Sequence, residues 1–458
     1  MSTKYRHRTR RGIIIVLSLL MVTTMAVVFG TGLPSSAAGT AAPSGGGNAS
    51  GGSLANLASK QKLIGPKGTG LTNGVTSSSI KVGCVYTSGN YAGYIDGIKA
   101  RFALANKKGI AGRKLTLVPC ADDTGGVQSD VQETQQLVNQ DQVFSVLSLT
   151  EYMLNGSTNF LTAHQVPYIG WGFNPGFCGY RWGFGWNGCL SPILLPTSSP
   201  LHNVVAGSLG EAMIQASGLP ASSVRFAVQA ENSPSGTSGN AQYEALFKKL
   251  GAKVVYNEAN FPTTATGVDY TPYVQAIMAS KPNLVYISTP FADVAPLAAA
   301  LKAAGYKGDI MDFVTYSPGL LASSAQLASA LQGEFTNTQV VPQEGGGAWV
   351  TQEQNALKAI GDQPFLTLGA SIGYAEANTL VEMLQAVGKN LNTKTFDQLV
   401  NGGKFVSYKT APSGSPGKLL WPAAHFIPAD CAAIVKVSGT NYTVSEPFKC
   451  YSSYNIPG

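Results

Sequence analysis

The chain has 458 residues, too many for one ordinary hydrophobic core, so two lobes or domains are expected. Hydrophobic residues make up 44% and charged residues 12%, a balance that excludes wholesale disorder. The formal net charge of +7 falls to +2 for a chain cut after Ala38, because the first 38 residues hold five Lys/Arg and no Asp/Glu; no basic cluster then remains for a nucleic-acid footprint.

Lys4, Arg6, Arg8, Arg10 and Arg11 precede an apolar run from Ile13 to about Gly30, and the small residues Ser36, Ala37 and Ala38 follow. This is the layout of a secretory signal peptide over residues 1–38. Thr9, Arg10 and Arg11 weakly resemble a twin-arginine signal. An uncleaved anchor is the alternative, since the run is near the shortest that spans a bilayer. No cysteine precedes Cys84, so the sequence offers no lipid-modified cysteine there. Residues 39–73, containing SGGGNASGG, read as a flexible linker.

From Ile80 to Asp123 the pattern is strand, crossover helix and parallel strand. Ile80, Val82, Cys84 and Tyr86 alternate along a first strand that stops at Ser88, Gly89 and Asn90. After Gly93, Tyr94, Ile95, Ile98, Phe102 and Ala105 recur at helical spacing until Gly109 and Gly112. Leu115 to Cys120 is the second strand, and Pro119 places it at a sheet edge or at its own end. Ligands of open α/β sheets sit outside the carboxyl ends of strands, so Thr87 to Tyr91 and Ala121 to Thr124 are the first candidate loops.

The motif VGCVYTSG, the helix ending NKKGIAGRKL, the strand ending CADD and the stretch through SVLSLTEY resemble the leucine/isoleucine/valine-binding family of periplasmic solute receptors for ABC importers. The resemblance covers roughly Ser79 to Trp421. It implies a type I periplasmic binding fold: α/β, two lobes, each a doubly wound and mostly parallel sheet, joined by a three-strand hinge. The partners it implies are a small-molecule solute and ABC permease subunits. Such a receptor is expected to act as a monomer, without cofactor or metal.

The alternation continues with helices at about Val127–Val138 and Asn155–His164 and strands at Phe144–Leu147 and Val166–Gly170. By resemblance, the turns after these strands grip the ligand's carboxylate, which assigns Thr150, Gly172, Phe173 and Asn174 to the site. Glu151 is this sequence's own addition, a poor neighbour for a carboxylate unless its side chain points away or meets a cation; a helix N-terminal acid is its structural alternative. Residues 175–200 depart most from the family. They hold CGYRWGFGWNGC, a G-x-G-x-x-G without a preceding strand, which reads better as a disulfide-closed aromatic flap than as a dinucleotide site. Trp182, Phe184 and Trp186 there wall the cleft, bind a partner or pack on the lobe.

A second α/β series follows: a helix from His202 to Ala216, strands at Val224–Gln229, Lys253–Tyr256, Leu284–Ile287 and about Ile310–Phe313, and helices at Gln242–Leu250, Tyr270–Ala279 and Val294–Ala304. Resemblance adds Thr289, Phe291 and Tyr316 to the site, with Phe291 or a neighbour over the ligand's side chain. Where the family commonly places an acid for the ligand's ammonium, this chain has Val314, Thr315 and Tyr316, which leaves Asp312 or Glu231 as substitutes. Residues 333–342 are expected to return the chain to the first lobe, with helices at about Gln352–Ile360 and Thr367–Val387. A terminal hairpin then rejoins the second lobe. The expected divisions are 74–198 and 341–418 for lobe 1, and 199–340 and 419–458 for lobe 2.

An even cysteine count in an exported chain favours disulfides, and the expected pairs are Cys84 with Cys120, Cys178 with Cys189 and Cys431 with Cys450. Free or metal-bound thiols are the alternative. Gly369-Ala-Ser371-Ile-Gly373 matches a nucleophile elbow, but apolar spacing runs through it into a long helix. A solute receptor is therefore the leading reading. A ligand-sensing adaptor with the same fold, signalling through the Cys178–Cys189 flap, and an exported serine hydrolase using Ser371 are the alternatives, with His164, His202 and His425 the only histidines left after export.

Overall fold

A computed structural model describes residues 51–263, 267–362, 367–412 and 414–456. In chain order the first half runs α1 (Gly51–Ser59), β1 (Ser79–Tyr86), α2 (Tyr94–Lys108), β2 (Lys114–Leu117), β3 (Ala121–Asp122), α3 (Val127–Asn139), β4 (Ser145–Leu149), α4 (Asn155–Ala163), β5 (Tyr168–Gly170), β6 (Gly183–Gly185) and β7 (Val204–Val205). The second series is α5 (Glu211–Ser217), β8 (Arg225–Glu231), α6 (Pro234–Lys249), β9 (Lys253–Phe261), α7 (Thr271–Ala279), β10 (Leu284–Ser288), α8 (Phe291–Ala303), β11 (Asp309–Asp312), α9 (Pro318–Ser323), α10 (Ala325–Ala330) and β12 (Phe335–Thr338). The remainder is α11 (Ala348–Ala359), α12 (Leu368–Val387), α13 (Thr393–Val400), β13 (Val406–Ser407), β14 (Leu419–Leu420), β15 (Cys431–Ser438), β16 (Asn441–Cys450) and β17 (Tyr454–Asn455).

These strands build two main sheets. The first has the order β2-β1-β4-β5-β6, with β3 also beside β1, and every pairing is parallel. The second has the order β16-β15-β12-β11-β10-β8-β9, parallel except for the antiparallel pairs β15–β16 of the terminal hairpin and β12–β15 where it joins. Strand order reverses between β1 and β4 in one sheet and between β8 and β10 in the other. Each sheet thus has a switch point where the loops leaving neighbouring strands diverge and open a crevice. β2 is an edge strand that stops at Leu117, before Pro119, as the missing N–H requires.

All three expected disulfides are present. Cys431 and Cys450 face each other as register partners in the hairpin. The elbow motif lies within α12, where Ser371 is 3% exposed. Its glycines serve the crossing of α12 over α2: a Cβ on Gly373 would sit 2.3 Å from the Tyr94 carbonyl oxygen, and one on Gly97 would sit 2.0 Å from that of Ala370. The histidines are engaged elsewhere, His425 between the Gly183 carbonyl and Asn401, His202 with the Leu195 carbonyl and His164 with the Phe160 carbonyl.

Several expectations need correction. The helix expected from His202 begins only at Glu211, because Val204 and Val205 pair with Asn455 and Tyr454 first. Residues 333–342 do not leave the second lobe at once, since Phe335–Thr338 form its strand β12. Its polar residues are buried but satisfied: Thr336 Oγ1 donates to Asp312 Oδ2 at 3.0 Å and Asn337 Nδ2 to the Ser208 carbonyl at 2.9 Å. From residue 51 onward the expected linker is folded. Leu54, Ala58 and Leu63 are buried with Leu195, Leu201 and Phe426. Ile64 exchanges backbone hydrogen bonds with Gly179 and Arg181, and Gly68 N–H donates to Asp397 Oδ2 at 3.0 Å. The expected signal peptide, residues 1–38, and the first part of the linker lie outside the described residues.

Candidate functional site

A cavity of about 100 Å³ lies where the two switch points face each other. From the first sheet come Asn90 and Tyr91 after β1, Glu151 after β4, Trp171 and Phe173 after β5, and Leu190 and Ser191 after β6. From the second come Glu231 at the end of β8, Gln242 and Tyr243 of α6, Tyr286 and Ser288 of β10, and Thr289, Pro290 and Phe291, which lead into α8. Leu209, Ser235, Gly236, Gly239, Phe313, Val314, Asn337 and Gln339 complete the wall. Trp171 and Phe313 meet edge to face across the cleft, with ring centroids 5.9 Å apart. The Trp171 indole also donates to Gln339 Oε1 at 2.7 Å.

Of the residues expected from the sequence, Tyr91, Glu151, Phe173, Thr289 and Phe291 line this cavity. Thr87, Thr150, Gly172, Asn174 and Tyr316 are buried and are not among the lining residues. Four of these five form the floor beneath it. Thr87 Oγ1 donates to Asp123 Oδ1 at 2.9 Å and to Thr150 Oγ1 at 3.0 Å, while Thr150 Oγ1 donates to Asp123 Oδ2 and accepts from Tyr152 N–H at 2.9 Å. Asn174 Nδ2 donates to the Thr150 carbonyl at 2.7 Å, and Gly172 N–H donates to Asn187 Oδ1 at 2.9 Å. The Phe173 N–H bonds the Trp171 carbonyl at 2.9 Å. The Thr150 hydroxyl and the Gly172 and Phe173 N–H groups, expected to hold a carboxylate, are thus engaged within the protein. Tyr316 sits further off: its hydroxyl donates to Glu344 Oε2 at 2.7 Å and accepts from Gln343 N–H at 2.6 Å. Asp312, considered above as a counter-charge, is fully buried and accepts from the Val314 and Thr315 N–H groups and the Thr315 hydroxyl, all at 2.7 Å. It shapes the loop after β11.

The electrostatics of the lining are one-sided. Glu151 accepts from the Tyr91 hydroxyl through one oxygen, while its Oε2 is shut off from solvent with no hydrogen-bond partner. Burial pushes the Glu151 carboxyl up to about 7; the Tyr91 hydrogen bond opposes the rise, and the charge on Glu231 adds to it. Glu231 is also raised by burial, against a hydrogen bond from Ser233. Among the described lining residues there is no Lys, Arg or His. Sequence reasoning missed Trp171, Gln242, Tyr243 and Tyr286. The turn after β5 pointed toward Trp171, but α6 was expected to begin only at Gln242, too late to present its first turns to the cleft.

The aromatic segment 178–189 packs on the lobe, one of the three roles expected for it, and does not wall the cleft. Gly183–Gly185 forms the sheet strand β6 beside β5, and Trp182, Phe184 and Trp186 are fully buried. Phe184 packs against Phe396, Trp421 and His425. Only Leu190 and Ser191, just beyond Cys189, reach the cavity.

No curated protein matches the sequence. Among solved structures, a fatty acid ABC transporter substrate-binding protein from Thermomonospora curvata superposes with a TM-score of 0.68 at 17% identity, covering 86% of this chain and 97% of that one. A leucine-binding protein from Thermotoga maritima gives 0.61 at 12% identity, covering 82% and 99%. A Rhodopseudomonas palustris ABC transporter solute-binding protein in complex with 4-hydroxybenzoate gives 0.61 at 16%, covering 83% and 98%. At these identities the likeness establishes the type I periplasmic binding fold. Residues 79–441 match the sequence family described as periplasmic binding protein, most of the chain. The chain therefore belongs to the periplasmic binding protein family.

Proposed function

We propose that the protein is the extracytoplasmic receptor of an ABC importer, capturing one small molecule between its lobes and presenting it to the permease without altering it. The observation that carries this reading is the aromatic-walled cavity assembled from both switch points, with Tyr91 and Glu151 on one side and Thr289 and Phe291 on the other. A solute touching both sides stabilises whichever arrangement brings them together, and so shifts the population toward the closed form. The adaptor alternative loses its motivating surface, because the aromatic side chains of the 178–189 segment are buried. The hydrolase alternative is weakened by the position of Ser371 inside a packed helix.

Residues 1–38 act in this reading as an export signal, and the receptor works as a monomer. The test is a thermal-shift screen against amino acids, amides, short-chain acids, aromatic acids and amines, since a ligand that binds only the folded form raises the melting temperature. Phe291→Ala is expected to weaken the confirmed ligand by about tenfold, the order expected for losing one aromatic wall. Unchanged affinity in Phe291→Ala would remove the cavity from consideration.

A further inference from the structure

The buried polar atoms of the lining that lack a partner are two acceptors, Glu151 Oε2 and Gln242 Oε1, and one hydroxyl, Thr289 Oγ1. Glu151 Oε2 is buried and unpartnered. Gln242 is 2% exposed, with its Nε2 donating to Ser191 Oγ at 3.2 Å and its Oε1 left without a partner. Thr289, also 2% exposed, has an unpartnered hydroxyl that can accept as well as donate. Glu231 brings a second carboxyl to the same wall. Against these stand no lining Lys, Arg or His among the described residues, and the main-chain N–H groups of Gly172 and Phe173 are already bonded. A carboxylate placed here would meet two acids and no counter-charge. A cation would relieve both acids, and aromatic faces such as Tyr91, Trp171, Phe173, Tyr243, Tyr286 and Phe291 suit both its charge and an apolar body.

Building on the receptor reading, we propose that the solute is an organic cation: an amine carried on an aromatic or other apolar body and lacking a carboxylate. Its N–H groups donate to Glu151 Oε2, with Glu231, Gln242 Oε1 and Thr289 Oγ1 as the remaining acceptors, and its body lies between the rings. Affinity then falls as the pH drops below about 7, where burial lets Glu151 take up a proton; the titrating groups around it are Tyr91, Glu231, Tyr152 and the underlying Asp123.

The test uses the full chain and four probes of matched body: phenethylamine, L-phenylalanine, 3-phenylpropionate and 2-phenylethanol, titrated calorimetrically at about pH 8, above the value of about 7 to which burial raises Glu151. Phenethylamine is expected to bind about tenfold or more tightly than each of the others, the gain of a charge-assisted bond over a neutral one. Glu151→Gln and Glu231→Gln are each expected to remove about that factor for the amine and to weaken 2-phenylethanol by less, since the alcohol carries no charge. If Glu151→Gln does not fold, the wild-type ranking and Glu231→Gln decide. Tighter binding of phenylalanine or 3-phenylpropionate overturns the charge assignment and leaves the receptor reading standing. Failure of all four, with a non-amine solute found by the thermal-shift screen, also overturns only the charge assignment. Silence in both assays overturns the receptor reading and this inference with it.

Discussion

Thr150→Val separates a floor residue from a ligand contact. Valine keeps the β-branched shape and removes the hydroxyl, which donates to Asp123 Oδ2 and accepts from Thr87 Oγ1 and Tyr152 N–H. Asp123 is fully buried, and burial raises its pKa while its hydrogen bonds from Thr150, Gly125 and Thr87 lower it. Losing one donor to a buried carboxylate costs about 1.5–3 kcal/mol, and the Tyr152 N–H left without its acceptor adds about 1 kcal/mol or more. The expected destabilisation is therefore about 3 kcal/mol. Urea unfolding reads it as a lower midpoint with an unchanged slope, because the surface exposed on unfolding is the same. Ligand affinity measured where the variant is still folded should stay within about twofold of wild type, since no contact with the cavity is removed. A loss below about 1 kcal/mol would refute the network argument. Preserved stability with a sharp loss of affinity would show that the hydroxyl reaches the solute.

Gly172→Ala should be at least as damaging, because its Cβ would lie 1.7 Å from the Gly188 carbonyl oxygen in the loop that leads to Leu190 and Ser191; a loss of about 1–3 kcal/mol or more is expected, and a wild-type urea midpoint would contradict it. Burial raises Asp130 to about 7, Asp312 to about 6 and Glu353 to about 8, so the folded state holds protons that the unfolded chain releases. Their contribution to stability is fully present below the ordinary carboxylate range and is lost as the pH rises through these values. The urea midpoint should thus fall between about pH 5 and 8, less steeply in Glu353→Gln, and a rising midpoint would contradict the assignment. Leu54→Ala, in the helix that precedes the first sheet, is expected to cost about 2–3 kcal/mol, whereas a residue in a true linker would cost nothing measurable by the same assay.

Legibility in the sequence followed the physics of each segment. β1 and α2 were readable because apolar residues repeat at the period of the element, and β4 and β10 because they are short apolar runs buried on both faces and bounded by turn residues. β12, whose sequence is FTNT, was not, because its burial is sustained by side-chain hydrogen bonds to Asp312 and Ser208 from elsewhere in the chain. β6 is three residues, Gly-Phe-Gly, too short for alternation to show. α1 was hidden by a Gly- and Ser-rich context, although Leu54 and Ala58 carry its buried face. The candidate site divided in the same way: Tyr91, Glu151, Thr289 and Phe291 follow strands whose ends could be located, so their loops were identifiable.

What the sequence determined by itself is the two α/β series, the three cysteine pairs and the loops that follow the strands, because these depend on local period, turn chemistry and pairing of neighbouring segments. Only the tertiary structure decided which side chains of those loops face the cleft. Thr150 and Glu151 are adjacent, yet the hydroxyl of one is held by Asp123 in the floor while the carboxyl of the other lines the cavity. Residue order fixes which side chains are available, but whether a polar group meets a ligand depends on the partners that distant segments bring to it on folding.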